Sequence, residues 1–189
     1  GPKDGTGSRM GSDVMRRKAY WAAFAGALGH TYGHNDVQIF WSPGKPREAA
    51  NRNHWRDALE APGAGQMRYL RLLIESRPWH TMEPDQNIVV AGQGAGKNHL
   101  QAARAADGKF LFVYLPRGNK LTVDMAKIHG SRATSYWFNP RNGESTPIGE
   151  YSCSGTRQFS PPSQAADNDW VLVLDDVRCK FPIPGNVEG

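Results

Sequence analysis

"AARAADGKFLFVYLPRGNKLTVDM", Ala102 to Met125, is the stretch on which the fold turns. It holds three runs of strand-forming residues separated by Asp107-Gly108 and by Arg117-Gly118-Asn119. Asp-Gly between two such runs is a hairpin signal, because both residues tolerate the positive φ of a tight turn. "LTVDM" alternates, with Leu121, Val123 and Met125 on one side, as a strand with one buried face does. "FLFVYL" does not alternate. It is apolar on both faces, which predicts a central strand of a sandwich whose outer face is also covered.

The same texture extends both ways. "NIVVA", "HLQAARAA", "ATSYWFN" and "DWVLVLDD" are short and rich in β-formers, and Asn142-Gly143 adds another turn signal. Together these runs predict an antiparallel β-sandwich over residues 85–189, a span of about 100 residues, the usual size of such a domain. Trp137, Trp170 and Tyr136 are read as its core. "GQGAGKN", Gly92 to Asn98, lacks the spacing of a phosphate loop and the Ser or Thr after Lys97, so it is read as a turn between strands.

The chain before this region is helical. Ser12 or Asp13 can cap a helix to about Leu28, with Trp21, Phe24, Ala25 and Leu28 on one face and Gly29 as its stop. A short strand is expected over His30 to Tyr32, then a loop through "NDVQIFWSPGKP", then a short helix around Glu48 to Leu59. "PGAGQMRYLRLLIESRPW" predicts a clear helix with Met67, Leu70 and Leu73/Ile74 on one face. "HTMEPDQ" is read as a linker. Residues 1–12, polar and Gly-rich, are read as a leader outside the fold. Two or three helices and one strand cannot close a barrel, so residues 13–84 look like the last units of something larger.

The 189 residues carry a net charge of +5. Their arginines (Arg68, Arg71, Arg77, Arg104, Arg117, Arg132) are scattered, which predicts a solvated basic surface and no nucleic-acid partner. No apolar run reaches the length of a membrane span. Cys153 and Cys179 cannot make a disulfide framework, and two free thiols are at least as plausible as one bridge.

Chemistry concentrates in "GALGHTYGHNDVQIFW", Gly26 to Trp41. On a strand, His30 and His34 would lie about 13 Å apart, too far to share an ion held at about 2.1 Å. A sharp turn at Gly33 would bring them together, and Asp36 and His54 could then complete an open site for zinc or another divalent metal. Hydrogen-bonded or exposed histidines are the alternative.

"RRKAYWAAFAGALGHTYGHNDVQIFWSPG" and "PGAGQMRYLRLLIESRPW" resemble the end of the catalytic domain of the apiosidase-like glycoside hydrolases. "AARAADGKFLFVYLPRGNKLTVDM", "YWFNPRNGE", "FSPPS" and "DWVLVLDD" resemble the C-terminal β-sandwich of the same proteins, which carries a collagen-binding label. The resemblance spans about Asp13 to Pro184. It implies an α+β chain: an antiparallel β-sandwich preceded by the helical remnant of a (β/α)8 barrel, keeping the seventh helix, eighth strand and eighth helix. A whole barrel needs about 250 residues.

By the same resemblance, the loop after the eighth strand opens on the sugar site. His30, Tyr32, His34 and Asn35 would hydrogen-bond hydroxyls there, and Trp41 would offer a flat face. The family uses no cofactor and implies a secreted or periplasmic bacterial setting. None of Asp36, Glu48, Asp57, Glu60 and Glu75 matches a family catalytic carboxylate, so native glycosidase activity is not expected. Three functional classes follow. The first is a carbohydrate-active fragment with a residual sugar loop. The second is a metal-dependent hydrolase of activated esters or phosphate esters, built on His30 and His34. The third is a non-catalytic binding sandwich. The resemblance implies a carbohydrate or small-molecule substrate. The helix faces that lose their barrel sheet need cover from the sandwich, a second copy, or both, and a homodimer is the simplest closed assembly.

Overall fold

The computed structural model describes residues 11–46 and 53–187. Most of the leader, and Glu48 as a helix start, lie outside those residues. In chain order the helices are α1 (Ser12–Phe24), α2 (Asn35–Gln38), α3 (Trp55–Leu59) and α4 (Pro62–Glu75). The strands are β1 (Met82–Pro84), β2 (Val89–Ala91), β3 (Gln101–Ala105), β4 (Phe110–Leu115) and β5 (Leu121–Asp124). They continue as β6 (Arg132–Phe138), β7 (Ser145–Ser152), β8 (Thr156–Phe159) and β9 (Trp170–Asp176).

The strands form two antiparallel sheets, one of six in the order β1-β3-β4-β9-β6-β7 and one of three in the order β2-β5-β8. All six residues of β4 are buried, and the two sides of the sheet explain why. Leu111, Val113 and Leu115 point between the sheets with Leu172 and Leu174 of β9, Val123 of β5 and Phe159 of β8. Phe110, Phe112 and Tyr114 point outward, where Tyr20 and Phe24 of α1 and Leu70 and Leu73 of α4 meet them. The Phe24 and Phe112 rings stack at 5.4 Å, and those of Tyr20 and Tyr114 at 4.9 Å. Each ring so buried contributes about 1.5–3 kcal/mol of transfer free energy. The helices are therefore a third layer on the sandwich, and one chain supplies the cover expected for their apolar faces.

Several local expectations change. The face that α1 buries is Arg16, Ala19, Tyr20, Ala23 and Phe24, while Trp21 is half-buried and Leu28 is 99% exposed. The helix stops at Phe24, short of Gly29, because Gly26 turns the backbone to a φ of +91°. Gly11 occupies the N-cap position, with no side-chain cap from Ser12 or Asp13. His30 to Tyr32 forms no strand, and "NDVQ" is helical. The Asp107-Gly108 turn does join the β3–β4 hairpin, with Gly108 at φ +68°. Arg117-Gly118-Asn119 instead carries the chain from one sheet to the other, since β4 and β5 belong to different sheets.

"HTMEPDQ", read as a linker, contains edge strand β1, whose Met82 pairs with Ala105. β7, which has no clear sequence signal, pairs along β6 from Ser145 to Ser152. Its Pro147 and Gly149 suit an edge, where missing donors and irregular φ do least harm. Gly92 to Asn98 does connect β2 to β3. A Cβ on Gly92 would sit 2.6 Å from the Lys120 carbonyl oxygen, so that turn needs glycine. Trp137 and Trp170 are in the sandwich core, whereas Tyr136 is half-buried on the outer face. Among the described residues no helix is long and apolar enough to cross a membrane.

Candidate functional site

The polar segment after α1 is held by its own short-range bonds. His34 takes an extended backbone at the N-cap of α2, and its Nδ1 accepts the Asp36 N–H at 3.3 Å. In neutral His34 the proton therefore sits on Nε2. The Asp36 carboxylate is wholly buried (0% exposed), and its Oδ2 accepts the Asn53 N–H at 3.2 Å. The Asp36 carbonyl accepts the Trp41 N–H at 2.9 Å, and the Trp41 carbonyl accepts the Trp55 N–H at 2.8 Å. Two of these bonds, Asn53 to Asp36 and Trp55 to Trp41, tie residues 34–41 to residues 53–55. His54 then repeats the device at α3, its Nδ1 accepting the Arg56 N–H at 3.2 Å.

The predicted sugar-site residues are placed unevenly. His30 and Asn35 are exposed, and His34 and Tyr32 are half-buried. The Tyr32 ring lies against Gly63 at the start of α4, where an added Cβ would come 3.2 Å from Cε2. Trp41 is 5% exposed, so its indole is packed into the protein and presents no flat face to a ring. Its neighbour Phe40 is 58% exposed and carries a φ of +47°, rare for a bulky residue. Such a backbone costs about 1–3 kcal/mol and persists where its surroundings enforce it. The Phe40 N–H donates to the Val37 carbonyl at 3.1 Å, and Lys45 Nζ donates to the Phe40 carbonyl at 3.1 Å. Phe40 meets Trp55 edge-on at 5.4 Å. The His54 ring stacks on Trp55 at 5.9 Å, and the Arg56 guanidinium lies 4.6 Å from its centroid. Nothing in the periodicity singled out Phe40; its backbone angle is visible only in three dimensions.

The metal alternative finds no support. Among the described residues no group of three or more His, Cys, Asp or Glu side chains comes together as a metal site requires. His34 and His54 each use Nδ1 as a cap acceptor, and His34 Nδ1 lies 3.8 Å from Asp36 Oδ2. Cys153 and Cys179 are both free thiols, and burial, the largest influence on each, raises their pKa and keeps them poor nucleophiles.

Two buried ion pairs, both missed in the sequence, bind the helical layer to the sandwich. Arg16 of α1 is 2% exposed and donates through Nε and Nη2 to the two Asp169 oxygens at 2.9 and 2.8 Å. Tyr114 Oη donates to the same carboxylate at 3.0 Å, and Gln66 of α4 accepts from Arg16 Nη1 at 2.6 Å. Burial works to lower the Arg16 pKa, but the Asp169 carboxylate outweighs it and the net shift is upward. Just past α4, Arg77 makes the same bidentate contact with Asp175 of β9, at 3.1 and 2.6 Å. The sequence had grouped Arg77 with the solvated arginines; it is buried.

Comparison with known proteins agrees with this two-part arrangement. Residues 3–81 match the family model described as "Apiosidase-like, catalytic domain". Residues 83–175 match the model described as "Putative collagen-binding domain of a collagenase". The chain matches the C-terminal part of an apiosidase-like glycoside hydrolase. A solved structure described as a glycoside hydrolase is 34% identical, with a TM-score of 0.88 over 94% of this chain and 40% of its own. The crystal structure of a glycoside hydrolase family 5 protein from Bacteroides vulgatus ATCC 8482 is 31% identical. Its TM-score is 0.90 over 98% of this chain and 40% of its own. The chain thus spans 40% of the length of each of these two structures. No curated protein matches it.

Proposed function

We propose that this chain forms one wall of the carbohydrate cleft of an apiosidase-like glycoside hydrolase, together with the rigid three-layer backing that holds the wall still. The observation that carries the reading is the catalytic-domain match over residues 3–81, the span that contains the His34–Asp36–Asn53 clamp. His30 and Asn35 are exposed and can donate to and accept from hydroxyls, as the site of a polyhydroxylated ligand requires.

Hydrolysis itself calls for two carboxyl groups about 5–10 Å apart across the scissile bond. Among the described residues the four buried carboxylates are engaged: Asp36 with Asn53, Asp169 with Arg16, Asp175 with Arg77 and Asp176 with Arg178. On this reading the wall binds and orients; none of Asp36, Glu48, Asp57, Glu60 and Glu75 matches a family catalytic position, so cleavage would call on carboxylates outside this span. A secreted or periplasmic setting belongs to the same reading. Calorimetric titration of the chain with neutral oligosaccharides, beside a panel of chromogenic glycosides, tests it. Binding that weakens in His30→Ala and Asn35→Ala, with no turnover, is the expected result. Glycoside turnover by this chain alone would overturn it.

A further inference from the structure

Resting on the carbohydrate-wall reading, we infer that Phe40, braced by Trp55, is the stacking platform for a sugar ring, the role expected of Trp41 and denied to it by burial. Phe40 is the exposed ring at the site, and the backbone angle that presents it is one that only a constrained loop maintains. Trp55 braces it edge-on, an orientation favoured by the ring quadrupoles, and is itself fixed between its neighbours His54 and Arg56.

The rim of the platform is polar. His54 uses Nδ1 as a cap acceptor, so its neutral form carries an N–H at Nε2. The exposed Arg56 guanidinium, lying against the Trp55 ring, keeps donors at its edge. The exposed Phe40 ring, with the His54 and Arg56 donors gathered on the Trp55 that braces it, suits a small amphipathic ring whose C–H face stacks while its hydroxyls bond sideways. A docked protein would need roughly 800 Å² of surface, far more than two side chains offer.

The test is a titration of the isotope-labelled full chain with cello-, xylo- and pectin-derived oligosaccharides, followed by amide and indole N–H resonances. Shifts centred on Phe40, Trp55 and Arg56 are expected. Phe40→Gly removes the ring and suits the positive φ, so the fold and Tm hold while affinity falls about tenfold. Phe40→Leu, apolar but not flat, also weakens binding, and Phe40→Tyr restores it. Shifts centred elsewhere, with affinity unchanged in Phe40→Gly and Trp55→Ala, overturn the platform and leave the wall standing. No shift with any of the sugars overturns both.

Discussion

The seam between helices and sandwich and the loop that ends at Trp55 solve opposite problems with similar groups. At the seam, Arg16 and Arg77 are buried, and each guanidinium is matched by both oxygens of one carboxylate. Around them lie stacked aromatic pairs such as Phe24 and Phe112. In the loop, one buried carboxylate and two histidine caps hold a thin segment that leaves His30, Asn35 and Phe40 exposed. The difference teaches where rigidity comes from. The seam is cooperative with the whole core, whereas the loop is fixed locally and can offer polar and aromatic groups to a ligand. A binding wall needs both, because loops open at lower free energy than the core strands behind them.

The largest effect is expected from breaking the seam. Arg77→Ala leaves Asp175 as an unpaired charge in the core and should lower stability by about 3–5 kcal/mol in urea unfolding. Burial already pushes the Asp175 pKa up against the pull of Arg77, so losing that partner isolates a carboxyl with little water near it. Replacing both partners, Arg77→Met with Asp175→Leu, should recover most of the loss. If the double variant is as unstable as the single one, the pair is not what holds α4 to β9.

Asp36→Ala should act on the loop alone. The carboxylate that accepts the Asn53 N–H across the loop is lost, and hydrogen exchange of the amides in residues 34–41 and 53–59 should accelerate by about 1–3 kcal/mol in opening free energy. Amides of β4 and β9 should keep their protection. Equal acceleration in both regions would erase the contrast between seam and loop.

The smallest effect concerns acid. Burial pushes the Asp85 carboxyl up, but hydrogen bonds from Lys127 at 2.9 Å and Arg104 at 3.0 Å outweigh it and hold its pKa below the ordinary value. A depressed carboxyl stabilises the fold above its unfolded pKa, about 4. That contribution is lost as pH falls through the lower folded value. Asp85→Asn should therefore lower stability at neutral pH by about 1 kcal/mol or less and flatten the acid limb of the stability curve. An acid limb unchanged from the parent would show that the Asp85 pairs with Lys127 and Arg104 add nothing to acid stability.

What the sequence determined by itself is what local periodicity encodes. The two-faced apolarity of "FLFVYL" already required cover on both sides of β4, and the Asp107-Gly108 hairpin and the α4 face of Met67, Leu70 and Leu73 were legible in residue spacing. The resemblance supplied the family, on long ordered motifs. Tertiary structure decided the rest. Edge strands β1 and β7 carry Pro84 and Pro147, which read as breaks until a neighbouring strand is seen beside them. Arg77 looked like a surface charge, and Arg16 drew no reading, because their partners Asp175 and Asp169 lie 98 and 153 residues away. Burial of Trp41 and exposure of Phe40, adjacent in sequence, go together with a positive φ at Phe40. Spacing along the chain records which faces are apolar; contacts across the chain decide what meets them, and so which side chains are left to face a ligand.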